Sequence, residues 1–304
     1  MNTQTRWIGF VLVLLGASFW GIGGTVAQRL FQGEGISVDW LVSVRLLVAG
    51  LIMIIIALLT HSNAHVFHIW KDKRAVKKLV IFGLCGMLAV QYTYMASISL
   101  GNAAVATLLQ YLAPVFIIFY LIITKVSKLK FREILAVSLA LTGTFFLLTN
   151  GSVDTLSVPF SAVVWGVLSG VALAFYTLYA GQLLDEWGSL NVIGWAMIIG
   201  GTVLGVFHQP WDVDMSGWTL ETLIYLFFVV IFGTMIAFWF YLESLKYLKP
   251  QETSLLGSVE PLAAIWLQIP FGAFQMLGAG LILFMVIYLS IAEDKSEVAH
   301  IETQ

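Results

Sequence analysis

Cysteine is almost missing from this 304-residue chain, where Cys85 stands alone. An intramolecular disulfide and a thiol cluster for a metal are thereby excluded. Charge is equally scarce. Only 11% of residues are charged, against roughly 25% in a soluble domain, while 60% are hydrophobic. A soluble fold of this length has too little polar surface to cover that much apolar material, so lipid is the solvent that fits. The net charge of −2, with no basic patch outside short loops, offers nothing to nucleic acid. No Walker-type nucleotide loop is present, which argues against ATP-driven pumping. There is no Ser-His-Asp spacing, no metalloprotease motif and no selectivity-filter signature. A membrane-embedded enzyme and a pore therefore stand only as the competing classes, and no cofactor is expected.

What the chain does have is apolar runs. A helix needs about 20 apolar residues to cross roughly 30 Å of hydrocarbon, and helices satisfy their own backbone in lipid. Spans are read near 7–31, 36–60, 77–99, 102–124, 131–149, 160–183, 190–207, 220–246, 251–269 and 273–292. The first run, from Trp7 to Leu15, passes into a full span without a small-residue exit site, so it reads as a retained helix. The links are short except 61–76 and 208–219, leaving no room for a soluble domain.

Basic residues set the orientation. With the N-terminus inside, the inner segments hold Arg6, Lys71, Lys73, Arg74, Lys77, Lys78, Lys125, Lys128, Lys130, Arg132, Lys246, Lys249 and Lys295. Only Arg29 lies near an outer end, while the outer loops carry Glu34, Asp154, Asp212, Asp214 and Glu221. This positive-inside bias, with an even span count, places both termini in the cytoplasm of a multi-pass cell-membrane protein.

The chain also repeats itself. A shift of 147 residues superposes Gly86 on Gly233, Tyr94 on Tyr241, Ser97 on Ser244 and Pro114 on Pro261. Slightly larger shifts align Gly16 with Gly170 and Gln28 with Gln182. Each half then holds five helices, and an odd count forces the second copy to enter the membrane the other way up. The expected fold is all-α integral membrane, ten transmembrane helices in two inverted five-helix repeats over 7–149 and 160–292, with a short cytoplasmic tail at 293–304. Inverted repeats are the architecture of many secondary transporters.

Several segments carry a family resemblance. Ala17-Ser18-Phe19-Trp20-Gly21, Val44-Arg45-Leu46-Leu47, and Ala103-Ala104-Val105-Ala106 through Leu112-Ala113-Pro114 lie in the first half. Gln251-Glu252-Thr253-Ser254 through Val259-Glu260-Pro261 and Leu277-Gly278-Ala279-Gly280 lie in the second. In order and spacing the chain resembles the EamA branch of the drug/metabolite transporter superfamily over nearly its whole length. The resemblance implies a central cavity between helices 1–4 and 6–9, helices 5 and 10 as outer buttresses, and export of amino acids or related metabolites. A drug efflux carrier and an importer are the alternatives within that class. One departure is a shortened turn at Ile269-Pro270-Phe271-Gly272, since Pro261 reaches Leu277 in 16 residues where Pro114 takes 21 to Leu135.

Charges inside the hydrocarbon cost roughly 2.5–3.5 kcal/mol on insertion scales. Arg45 and Glu260 each sit about nine residues from a span end, roughly 13 Å deep. They can pair with each other, or bind the carboxylate and ammonium of a zwitterion. Their repeat mates are Met197 and Ala113, so the charges break the symmetry of the halves. Glu243 beside Lys246 reads as an exposed helix-end pair. Trp20, Gln91, Tyr94, Gln110, Tyr111, Tyr176, Tyr179, Trp195, Trp239 and Tyr241 cluster at mid-span. About half of these are expected to line an apolar cavity with a few orienting polar groups. Trp7, Tyr120, Trp187 and Trp218 lie at span ends and read as interfacial anchors. His61, His65 and His68 have a metal-compatible spacing without supporting ligands, so no metal site is expected. The expected partners are a small-molecule solute and the lipid bilayer, with proton coupling through Glu260, in a monomer or homodimer.

Overall fold

In lipid no water is present to satisfy peptide groups, so each apolar run closes its hydrogen bonds within itself. The computed structural model describes residues 3–60, 63–125, 131–152, 156–211, 213–244, 247–248, 253, 256–257, 259–266 and 272–301. Every regular element among the described residues is helical. We label α1 Thr3–Gln32, α2 Val38–Thr60, α3 Lys73–Leu100, α4 Ala103–Ile123 and α5 Phe131–Thr149. The second half holds α6 Phe160–Trp187, α7 Ser189–Phe207, α8 Leu220–Ser244, α9 Val259–Trp266 and α10 Ala273–Ile301. Among the described residues seven helices are long and apolar enough to cross a membrane: α1 to α4 and α6 to α8. Shorter apolar stretches lie in α5 and α10, and α9 is described over eight residues. Much of the expected ninth span, the expected Ile269-Pro270-Phe271 turn, and Lys128, Lys130, Asp154, Asp212, Lys246 and Lys249 lie outside the described residues.

Helix ends follow local chemistry. Asn102 caps α4 by accepting from the Val105 N–H at 2.8 Å, and Asp72 caps α3 by accepting from the Arg74 N–H at 2.8 Å. Thr219 and Thr222 form a reciprocal capping pair at the start of α8. The one-residue turn between α6 and α7 is made by Gly188 at φ 77°, a left-handed conformation that costs glycine nothing. The 61–76 link holds a short helix, Asn63–His68, followed by a 3₁₀ turn. The last helix, α10, continues to Ile301.

Both α3 and α8 contain a π-helical stretch, Phe82–Leu88 and Phe228–Ile236. Adding 147 to 82–88 gives 229–235, which falls inside the second stretch. In the second, Thr234 Oγ1 donates to the Val229 carbonyl five residues back, at 2.8 Å. π segments are rare, and they occur mainly at functional sites.

The helices pair α1 with α8 and α9, α3 and α4 with α6, α2 with α7, α4 with α9, and α5 with α10. Exchanging the halves, α1 for α6 and so on, maps these pairs onto one another, whereas α1 also packs on α3 and α4 without an equally close approach of α6 to α8 and α9 among the described residues. Lipid tails are as apolar as leucine, so helix association relies on close van der Waals contact and small residues. A Cβ on Gly23 would stand 2.9 Å from the Gly233 Cα, one on Gly50 would stand 2.9 Å from the Gly194 carbonyl, and one on Gly143 would stand 2.8 Å from the Gly278 carbonyl. The α1–α8, α2–α7 and α5–α10 crossings are thus glycine contacts. Leu59, Ile123, Phe131, Phe160 and Phe207 point outward, whereas Arg45, Gln91, Gln110 and Glu260 are buried. Apolar outside and polar inside is the arrangement that lipid imposes.

Gly23→Ala and Gly50→Ala should each lower stability, by about 1–3 kcal/mol as overpacking does. Gly181 has nothing within 4 Å of an added Cβ, so Gly181→Ala should be neutral or stabilising by up to about 1 kcal/mol. Thermal unfolding in detergent checks this, and equal effects at all three positions would contradict the crossings described.

Candidate functional site

The prolines of α4 and α9 set up the centre of the molecule. A proline removes the bond to the carbonyl four residues earlier. Pro114 therefore releases Gln110, and α4 divides into Ala103–Gln110 and Ala113–Ile123. Pro261 likewise releases the Gly257 carbonyl. Tyr111, at the α4 break, takes up that carbonyl: its hydroxyl donates to Gly257 O at 3.0 Å and, in shared fashion, to Glu260 Oε2 at 3.2 Å. The two interrupted helices pack together and are tied at their breaks by the Tyr111 side chain.

Around this junction lies a cavity of about 710 Å³. Nine of the twelve residues singled out from the sequence line it: Trp20, Arg45, Gln91, Tyr94, Gln110, Tyr111, Tyr176, Tyr241 and Glu260. The repeat mates Tyr94 and Tyr241 face it from α3 and α8. Trp20 meets Phe238 edge-on at 4.9 Å and Tyr241 at 5.1 Å. Tyr176 packs on Phe82 at 4.8 Å. Gln110 Nε2 donates to Ser169 Oγ at 2.6 Å. Thr107 gives its proton to the Ala103 carbonyl, so Tyr94 is the donor in the 2.7 Å Tyr94–Thr107 bond.

The other three lie off the cavity. Trp195 Nε1 donates to the Val66 carbonyl at 3.2 Å, and its ring meets Trp70 edge-on. It pins the link helix and does not face inward. Tyr179 stacks on Phe175 at 5.1 Å. Trp239 is 37% exposed on the outer surface. The sequence reading missed the apolar lining, including Met87, Met95, Ile117, Leu173 and Phe238, because apolar residues carry no signal in an apolar helix. Two presumed anchors also differ. Trp187 is buried and stacks with His68, and Trp218 meets Trp40 edge-on at 5.2 Å. Trp7 and Tyr120 are exposed as expected of anchors. His61 and the side chain of His65 lie outside the described residues.

Arg45 and Glu260 do not pair with each other. Arg45 Nη2 donates to Gln91 Oε1 at 2.8 Å, while Nε and Nη1 are buried without a hydrogen-bond partner. Glu260 is held by Tyr111. Tyr94 lines the same cavity as both. Of the two readings left open for these charges, the direct ion pair is not formed: each is hydrogen-bonded to a neutral neighbour, Gln91 for Arg45 and Tyr111 for Glu260.

The cavity reaches toward one end of the bundle. Leu121, Thr177, Leu184, Ser189 and Leu242 continue the lining toward the end that carries Lys73, Arg74, Lys77 and Lys78. At the opposite end hydrogen bonds link α1 to its neighbours, around a separate, smaller pocket of about 380 Å³ lined by Gln28, Arg29, Gln32, Glu34, Glu221 and Tyr225. Gln32 Nε2 donates to the Ser99 and Gly101 carbonyls at 3.2 and 2.9 Å, and Gln28 Oε1 accepts from the Ala103 N–H at 2.9 Å. Arg29 donates to Tyr225 at 3.1 Å, and Thr222 donates to Glu34 at 2.6 Å. These bonds clasp α1 to the α3–α4 turn and to the start of α8.

The model of the EamA-like transporter family matches this chain twice, over residues 7–149 and 160–291. The chain belongs to that family. It is 33% identical over 290 residues to YicL of Salmonella typhimurium, an uncharacterized inner membrane transporter, covering 93% of this chain and 95% of that one. An uncharacterized transporter of Archaeoglobus fulgidus is 25% identical over 255 residues, covering 81% of this chain and 82% of the relative. A crystal structure sharing 16% identity aligns over 96% of this chain and 97% of its own, with a TM-score of 0.62. That likeness shows a common fold.

The one-ended cavity generates a labelling prediction. In a Cys85→Ser background, Thr177→Cys should react with an impermeant thiol reagent applied from the end bearing Lys73–Lys78, and stay unreactive from the other. Reaction from both sides of sealed vesicles would mean that the clasp at the far end does not close the cavity.

Proposed function

We propose that this protein is a secondary carrier that moves small metabolites, amino acids or related carboxylates and amines, out of the cell by alternating access. The observation that carries the reading is the central cavity, lined mainly from α1–α4 and α6–α9 with Glu133 of α5 and Val286 of α10, its lining running to the basic end while hydrogen bonds clasp the acidic end. Such a cavity suits a carrier because one access path is closed while the other is open. The basic end is the cytoplasmic one by the positive-inside rule. The state described then faces the cytoplasm, as an exporter does when it loads, and both termini are inside.

The two family matches, the π stretches in 147-residue register and the self-mapping helix pairs support two inverted repeats, 7–149 and 160–292. Two similar halves of opposite orientation can exchange conformations, and the exchange moves the access path from one face to the other. Ten spans in the membrane complete this arrangement, and α5 packed against α10 forms the buttress on one side. The protein acts as a monomer or a homodimer.

Glu260 is the proposed coupling residue. Its carboxylate projects into the cavity at the midplane, beside a hydroxyl that can follow it or release it as the halves move. Transfer of a proton to Glu260 and away again would link solute export to the proton gradient.

Transport by membrane vesicles tests these assignments. Trp20→Ala and Tyr94→Ala should lower transport at least tenfold with membrane abundance unchanged. Glu260→Gln should abolish pH-driven transport and spare solute exchange, because exchange moves no net proton. Normal transport by both aromatic variants would place the solute elsewhere, and full pH-driven transport by Glu260→Gln would remove the coupling role.

A further inference from the structure

Arg45 is a buried charge with no counter-charge bonded to it among the described residues. Its guanidinium stays protonated in any protein environment, and its side chain is 3% exposed. It forms no salt bridge among the described residues: two carboxylates share its cavity, Glu260 and Glu133, Glu260 is engaged by Tyr111, and the bond that Arg45 makes is to the neutral Gln91. Two of its nitrogens, Nε and Nη1, are buried and unpartnered at the cavity. Buried charges are ordinarily paired, since an unpaired one loses its hydration without compensation.

A guanidinium offers five N–H donors in a planar fork that matches a carboxylate or phosphate. Gln91 occupies one nitrogen, leaving Nε and Nη1 without partners on a side chain that lines the cavity. We infer that the solute itself is the missing counter-ion: the cavity requires a carboxylate or phosphate group on its substrate, bound by Arg45 through Nε and Nη1, with Gln91 as the positioning residue. This inference rests on the carrier reading above and narrows it. Amines and neutral compounds that lack an anionic group are excluded as substrates, whatever their aromatic content, because they leave the buried guanidinium uncompensated.

Proteoliposomes containing the full chain, loaded with a mixed extract of small metabolites, test the inference. Solutes released faster than from protein-free liposomes are identified by mass spectrometry. All released solutes are expected to carry a carboxylate or phosphate, and Arg45→Gln is expected to reduce their release at least tenfold. Gln91→Leu is expected to raise the half-saturating concentration more than it lowers the maximal rate. Release of an amine or neutral solute without an anionic group would overturn the inference and leave the carrier reading standing. No release of any solute would remove the carrier reading, and the inference with it.

A second measurement covers a variant that fails to insert. Arg45→Met keeps the volume and removes the charge. In detergent without added solute its melting temperature is expected to rise, because an uncompensated buried charge is lost. Protection of the wild-type protein by millimolar 3-phenylpropionate, but not by 3-phenylpropionamide, is expected to disappear in the variant. A lower melting temperature for Arg45→Met, together with equal effects of the acid and the amide on the wild type, would mark Arg45 as a structural group and overturn the proposal.

Discussion

The Tyr111 hydroxyl, shared between the Gly257 carbonyl and the Glu260 carboxylate, holds together what the prolines take apart. In hydrocarbon an unsatisfied peptide group costs several kcal/mol, of order a whole domain's margin of stability when two or three accumulate. Pro261 creates such a group in α9. Tyr111 meets it from the break that Pro114 makes in α4. A membrane protein tolerates broken helices only where neighbours satisfy the freed backbone or the break lines a cavity, and here both conditions hold at one point. The cavity, the placement of Glu260 within it and the crossing of the two halves all depend on that junction.

Electrostatics then gives the cavity its polarity. Arg45 and Glu260 come from different halves, at positions whose repeat mates are Met197 and Ala113. The backbone arrangement is near-symmetric under exchange of the halves, but the charges are not. A symmetric frame can rock between equivalent conformations, while asymmetric charges let a solute bind in a single orientation. The clasp of Gln28, Arg29, Gln32 and Glu34 against the α3–α4 turn and α8 is built from exposed or half-exposed hydrogen bonds. Such bonds contribute about 1 kcal/mol each, enough to bias a closed end and weak enough to open.

Much of this was legible in the sequence, for a physical reason. Run length and hydropathy define spans, and the long apolar helices fall where the apolar runs lie. Counting residues from a span end also gives an expected depth, near the midplane for Arg45 and Glu260. Direction around the helix axis is not legible. A helix that is apolar all round has no amphipathic face to say which way a given tryptophan points, so Trp239 turned to lipid and Trp195 to the link helix. For the same reason Arg45 and Glu260 matched in expected depth but not in direction, and their partners became Gln91 and Tyr111. The apolar lining of the cavity was invisible because it uses the same residues as the lipid-facing surface.

The central claim is that a solute crosses by occupying a cavity that opens to one side at a time. Counterflow tests it most directly. Proteoliposomes are preloaded with a high concentration of an unlabelled transported solute, then diluted into a trace of the labelled form. A carrier must return across the membrane with solute bound, so labelled solute should accumulate transiently above its equilibrium level inside. A monotonic approach to equilibrium with no overshoot, at rates well above protein-free liposomes, would mean an open path through the bundle and would contradict alternating access.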